Sequence, residues 1–293
     1  MQRETDYSES TGRNLRRYRV DEAERGNAWS PGLTVQELAC QHGHNYGSTM
    51  VGGRAQAHFG DTTINHYYNG HGSQEDKYNT LVRTLMFDQM DARLRNVAIA
   101  LPMTCEWLFR HQEFTAWTDD SNIAEHHGFL WVKGKPGSGK STIMKKAVAW
   151  AERAWPAKII LSYFFNARAP GELEKSGIGL YRSLLYQLLS MYDGIRPLFI
   201  AKFSSKERNG QVEDWTETEL QNFFIEVVTT SQLPPLAIFI DALDEGKEDD
   251  IRRTVAFFEE VGEHAISSGT MFRICLSSRH YPQISIQNGL LSL

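Results

Sequence analysis

The run Gly134-Lys135-Pro136-Gly137-Ser138-Gly139-Lys140-Ser141 fits the spacing G-x-x-x-x-G-K-[ST], whose residue types suit a chain of phosphates. Glycines let a turn bring its backbone N–H groups close to an anion, and the helix that follows aims the positive end of its dipole at the same point. Lys140 would neutralise the β- and γ-phosphates, Ser141 carries a hydroxyl of the kind that ligates Mg²⁺, and Thr142 closes the binding stretch. Far downstream, Asp241 ends an apolar run, Asp244 and Glu245 follow it closely, and Arg279 follows a second apolar run. Asp241 can hold Mg²⁺ through water, while Asp244 and Glu245 can orient or deprotonate an attacking water. A guanidinium at position 279 can reach a γ-phosphate and report whether it is present. Taken alone, Asp241 reads as a helix cap and Arg279 as a surface charge; their combination with the glycine loop points to nucleotide chemistry.

These residues need a strand before the loop, a helix after it, and further strands to bring the acids alongside. Phe129-Leu130-Trp131-Val132 is a short apolar run of the kind found in strands buried on both faces. Beyond the loop, Ile143, Met144, Ala147, Val148 and Ala151 recur at helical spacing and Pro156 supplies a stop. Lys158 to Phe165 reads as a second strand. Leu180, Leu184, Leu185, Leu188 and Leu189 mark a helix face, and Thr216 with Glu219 makes a capping box for a helix that turns Leu220, Phe223, Phe224, Val227 and Val228 inward. Leu236 to Asp241 is a third buried strand, Ile251 to Val261 a helix, and Phe272 to Leu276 a fourth strand closed by Ser277, Ser278 and Arg279. Alternating strands and helices predict an α/β fold with a parallel sheet covered by helices on both faces. In such a sheet, ligands sit at the carboxyl ends of the strands, where Asp241 would emerge beside Ser141.

The 293 residues are 41% hydrophobic and 23% charged, ample for a core, and the net charge of -5 provides no basic field of the kind nucleic-acid binding uses. No run is long enough for a membrane span. Three cysteines, scattered at Cys40, Cys105 and Cys275, make no disulfide framework, and the polar start has no signal-peptide core, which together indicate a reducing, cytoplasmic setting. Cys40, His42 and His44 lie close together, but no second ligand pair completes a metal pattern, so they read as solvated loop residues.

Residues 1–73 have the composition of a mostly disordered region. Within them, the tract 51–69 combines β-propensity with little charge. It suits either pairing between copies, as an amyloid-like or homo-oligomeric contact, or a flexible linker. Residues 74–127 form a helical segment leading into the NTPase domain of 128–293. Leu81, Val82 and Leu85 suggest one helix, and Met90, Leu94, Val97 and Leu101 a second capped by Asp88. Thr104 is a candidate N-cap for a third carrying Cys105, Glu106 and Trp107. Pro102 to Trp107 is a candidate for contact with the nucleotide base, with core packing of Trp107 the alternative.

Taken together, Phe129 to Ser141, Asp241-Ala242-Leu243-Asp244-Glu245 and Phe272 to Arg279 resemble the NACHT-type NTPases of the STAND class of P-loop NTPases, in the fungal branch with a nephrocystin-type N-terminal domain. Met90-Asp91-Ala92-Arg93, Thr104-Cys105-Glu106-Trp107-Leu108 and Leu180-Tyr181-Arg182-Ser183-Leu184-Leu185 look like segments of that branch too, so the resemblance covers 80–290. It implies binding of ATP or GTP with Mg²⁺, slow hydrolysis, and a nucleotide-exchange switch that releases an oligomerising form. On that resemblance, Ser141 and Asp241 are the Mg²⁺ partners, Asp244 and Glu245 the hydrolytic acids and Arg279 the first sensor. The chain also looks like a truncated member, since only His280 to Leu293 follow Arg279.

Overall fold

The computed structural model describes residues 74–280, apart from 209–210, 231–232 and 247. Ahead of the sheet come α1 (Gln74–Leu85), α2 (Ala92–Asn96), α3 (Gln112–Thr118) and α4 (Ile123–His126). Strand β1 (Phe129–Lys133), α5 (Lys140–Ala154), β2 (Ile159–Phe164), α6 (Gly177–Met191) and α7 (Arg196–Phe203) follow. After the short pair β3 (Glu207–Arg208) and β4 (Gln211–Val212), the chain forms α8 (Glu217–Val228), β5 (Leu236–Asp241), α9 (Glu248–Ser268) and β6 (Phe272–Ser278).

The main sheet has the order β1-β6-β5-β2 and every pairing in it is parallel. Lys133 stands opposite Ser278 and Phe164 opposite Asp241, so the carboxyl ends of the strands lie level along one edge. The two-residue period of a strand divides its side chains between two cores. Phe129, Trp131, Ile238, Ile240, Ile274 and Leu276 pack toward α1 and α6 to α9. Leu130, Val132, Ala237, Phe239 and Cys275 pack toward α5 and α3. Both faces of the sheet are covered, which is why its strands are continuous apolar runs rather than alternating ones.

Local sequence explains where the flanking helices begin. Thr216 Oγ1 accepts from the Glu219 N–H at 3.3 Å while the Glu219 carboxylate accepts from the Thr216 N–H at 2.9 Å, the reciprocal capping box expected there. Ser176 caps α6 through the Gly179 N–H. Helix α7 and the β3–β4 pair escaped the periodicity reading, because each is short and α7 buries little beyond Phe199 and Phe203.

The stretch between α1 and α3 corrects the sequence reading. The second helix shrinks to α2, its N-cap is Asp91 rather than Asp88 with no side-chain cap bond, and Leu101 is 72% exposed. Thr104 starts no helix: Cys105 has φ 63°, a 3₁₀ turn covers Leu108–Arg110, and Trp107 is 48% exposed rather than packed in the core. The reason is tertiary. Tyr78, Leu81 and Leu85 belong to one core, whereas Val97, Leu108, Phe114 and Trp117 belong to the other. The intervening chain must change faces of the sheet, and it bends at Gln89, Met103 and Cys105, all with positive φ. Lys145 and Lys146 of α5 clasp this strap by donating to the carbonyls of Val97 at 2.7 Å and Thr104 at 2.6 Å.

Residues 1–73, with Cys40, His42, His44 and the tract 51–69, lie outside the described residues, as do Tyr281 to Leu293. Among the described residues no helix is long and apolar enough to cross a membrane.

Candidate functional site

Gly134 leaves β1 with its N–H bonded to the Ser278 carbonyl at 3.2 Å, which ties the mouth of the loop to the end of β6. The loop then turns through Gly137 at φ 75° and Gly139 at φ 88°, conformations that cost a residue with a Cβ roughly 1–2 kcal/mol. Gly139 is the N-cap of α5 and the first turn of that helix contains no acidic side chain, so the positive end of its dipole is left for a ligand. Pro136, Gly137, Gly139, Lys140, Ser141 and Thr142 line a cleft of about 390 Å³ together with Asp241, Asp244, Glu245 and Arg279. Lys140 is folded back over its own loop, its Nζ donating to the carbonyls of Gly134 at 2.8 Å and Lys135 at 2.9 Å.

The strand order explains how the distant residues meet. Because β6 lies between β1 and β5, Arg279 emerges between the loop and Asp241. Asp241 is fully buried at the end of β5. Its Oδ1 accepts from Ser277 Oγ at 2.5 Å, and Ser277 Oγ in turn accepts from the Ala242 N–H at 3.1 Å. Ala242 itself sits in the left-handed region at φ 55°, which redirects the chain so that Asp244 and Glu245 return to the cleft in a 3₁₀ turn. Burial pushes the Asp241 carboxyl above its ordinary pKa, partly offset by the nearby Ser141 hydroxyl, by the hydrogen bond from Ser277 and by the positive charge of Arg93.

The acids at 244 and 245 are both engaged. Asp244 accepts from the Arg279 N–H at 2.8 Å through Oδ1 and pairs with Arg279 Nε at 3.0 Å through Oδ2. Glu245 accepts from the Ala167 N–H at 3.0 Å through Oε2 and faces Arg93 Nη2 at 3.8 Å through Oε1.

The donor set fits Mg²⁺. Asp241 Oδ2 is a buried carboxylate oxygen without a hydrogen-bond partner, the kind of atom a hard cation compensates, and Ser141 adds a hydroxyl beside it. Among the described residues no group of three His, Cys, Asp or Glu side chains forms a metal cage.

The cleft also contains Arg93 from α2 and Arg168 from the loop after β2, neither of which the motif spacing indicates. Arg279 directly follows β6, whereas Arg168 comes after Phe165, Asn166 and Ala167 beyond the end of β2, too far into the loop for a strand-end position to mark it. Arg93 sits in a helix of five residues ahead of the sheet, where local sequence carries no such signal. Pro102 to Trp107 does not line the cleft; Trp107 meets His111 edge-on at 6.1 Å between ring centroids.

A family described as "Nephrocystin 3, N-terminal" matches residues 103–279, a span containing the loop, Asp241 and Arg279 but not Arg93. No curated protein matches the chain. Among solved structures it is similar to one of PCH-2 from C. elegans, at 11% identity and a TM-score of 0.30, covering 71% of this chain and 43% of that one. It is also similar to one of Drosophila ORC bound to DNA, at 13% identity and a TM-score of 0.36, covering 84% and 51%. The chain therefore spans about half the length of these structures.

Proposed function

We propose that this chain, which belongs to the nephrocystin 3 N-terminal family, binds ATP or GTP with Mg²⁺ and hydrolyses it slowly, as the switch part of a STAND-type cytoplasmic signalling protein. The observation that carries this reading is the buried, unpartnered Asp241 Oδ2 facing a glycine loop whose helix N-terminus is uncompensated. Gly134 to Thr142 cradle the phosphates, and Lys140 exchanges its loop carbonyls for β- and γ-phosphate oxygens. Ser141 and Asp241 hold Mg²⁺, which supplies neutralisation of the charge between those phosphates. Glu245 and Asp244 orient the attacking water once their present partners are displaced, and Arg279 senses the terminal phosphate. Adenine is favoured over guanine by the lack of an Asn-Lys-x-Asp sequence, and equal competition by GTP would reverse that preference.

Titration of a labelled ATP analogue tests the reading. Lys140→Ala should weaken binding on the order of ten- to a hundredfold in a protein of unchanged circular dichroism; unchanged affinity would remove the phosphate role. Asp241 adds a pH test. Its folded pKa lies above the unfolded value, so the protein binds more protons folded than unfolded in that interval. Stability therefore falls as pH rises from about 3.8 through the raised folded value. Mg²⁺ competes with the same proton, so Mg²⁺-dependent affinity should rise with pH over that window in the wild type and show no such rise in Asp241→Asn.

A second reading, a binding module with little or no turnover, rests on Asp244, both of whose oxygens are held by Arg279. Phosphate release separates the two. Turnover that disappears in Asp244→Ala and Glu245→Ala supports the NTPase, and none above background in the wild type supports the module. We assign any self-association of the switched form to the tract 51–69; a peptide of that span should gain β-signal as its concentration rises.

A further inference from the structure

We propose that Arg93 is the group that distinguishes a nucleoside triphosphate from a diphosphate in this cleft, taking the terminal phosphate and releasing Glu245 as it does so. The inference rests on the nucleotide reading above and deepens it. Two other cations of the site are engaged: Lys140 Nζ donates to two carbonyls at 2.8 and 2.9 Å, and the Arg279 guanidinium pairs through Nε with Asp244 Oδ2 at 3.0 Å while its backbone N–H bonds Asp244 Oδ1 at 2.8 Å. Arg93 is not. Its Nη2 lies 3.8 Å from Glu245 Oε1, beyond hydrogen-bonding distance, and its Nε is buried without a partner. A guanidinium carries five donors in a fixed fork that matches the oxygens of a phosphate, and a buried donor left unmade is costly.

The geometry also gives the exchange a direction. Arg93 lies close enough to Asp241 to favour its carboxylate, so it stands on the side of the cleft where the cation site and the acids meet. A terminal phosphate there offers shorter, charge-assisted bonds than the loose Glu245 contact. Once Arg93 turns to it, Glu245 retains only the Ala167 N–H and is freed toward the water it is proposed to orient. A diphosphate lacks that group, and Arg93 stays with Glu245. Arg93 comes from α2, outside the span that the family match covers, so the strap ahead of the sheet contributes directly to the site.

The test is the affinity of the full chain for a non-hydrolysable ATP analogue and for ADP, both with Mg²⁺, in the wild type, Arg93→Met and Arg93→Lys. The wild type should prefer the triphosphate. Arg93→Met should lose about tenfold or more in triphosphate affinity, the worth of one charge-assisted bond, with ADP affinity nearly unchanged. Arg93→Lys keeps the charge without the fork and should fall between; it carries the comparison if the methionine variant does not fold. A parallel loss for both nucleotides, or no loss for either, overturns the role of Arg93 while leaving the nucleotide site standing. A wild type that binds neither nucleotide overturns this proposal together with the reading beneath it.

Discussion

Helix α8 and the strap between α1 and α3 both carry apolar residues at helical spacing, and they meet opposite fates. In α8, Leu220, Phe223, Phe224, Val227 and Val228 are all buried behind a complete capping box. In the strap, Ile99, Leu101 and Met103 are 83, 72 and 88% exposed, and the backbone takes left-handed turns at Gln89, Met103 and Cys105. The difference lies in what the rest of the fold offers. Helix α8 lies against α6 and α9, whose Tyr181, Phe257 and Phe258 form an aromatic cluster with its Phe224. The strap has to leave one core and enter the other, so among the described residues its apolar side chains are divided rather than buried along one helical face. Periodicity specifies which face a helix would bury; only a partner surface makes the helix worth forming.

The contrast can be broken most severely at Phe224. Phe224→Ala should cost about 3–5 kcal/mol in denaturant unfolding, because it opens a cavity amid rings that cannot collapse into it; a loss below about 1 kcal/mol would show that this layer does not hold the domain together. Next comes the point where the strap departs. Arg182 of α6 donates to the carbonyls of Thr84 at 2.6 Å, Leu85 at 3.2 Å and Met86 at 2.9 Å, closing the end of α1. Arg182→Met should cost about 2 kcal/mol, and hydrogen exchange should rise in α1 and the strap before it rises in α8. A uniform rise would mean that the two regions open as one unit.

A smaller effect is expected at the cap. Thr216→Ala removes one half of the box and should cost about 1 kcal/mol, read as a shift of the unfolding midpoint at unchanged slope. The smallest belongs to the strap's apolar tip, where Ile99→Ser should change stability by no more than about 0.5 kcal/mol. A cost several times larger would show that Ile99 is covered in solution and that the strap is more like α8 than its exposure indicates.

The site repeats the contrast on a finer scale. The loop from Gly134 to Thr142 is local: a strand, a glycine turn and a helix start occupy consecutive positions, so residue types and spacing specified its geometry, and β1 and α5 fall where the apolar runs placed them. The same holds for Leu236–Asp241, Phe272–Ser278 and the cap of α8, each of which depends on neighbours in sequence. What the sequence could not specify is which distant groups end up as partners. That Asp244 would be tied to Arg279, that Glu245 would reach the Ala167 N–H, and that Arg93 would enter the cleft all follow from the order β1-β6-β5-β2 and from a strap that changes faces of the sheet. Those are non-local facts, decided by which surfaces pack, and a helical or strand period records only what lies a few residues away. The sequence by itself determined the glycine loop, the buried strands and the capped helix; the tertiary structure alone decided which charges face one another across the cleft, because strand order and the path between cores have no local signature.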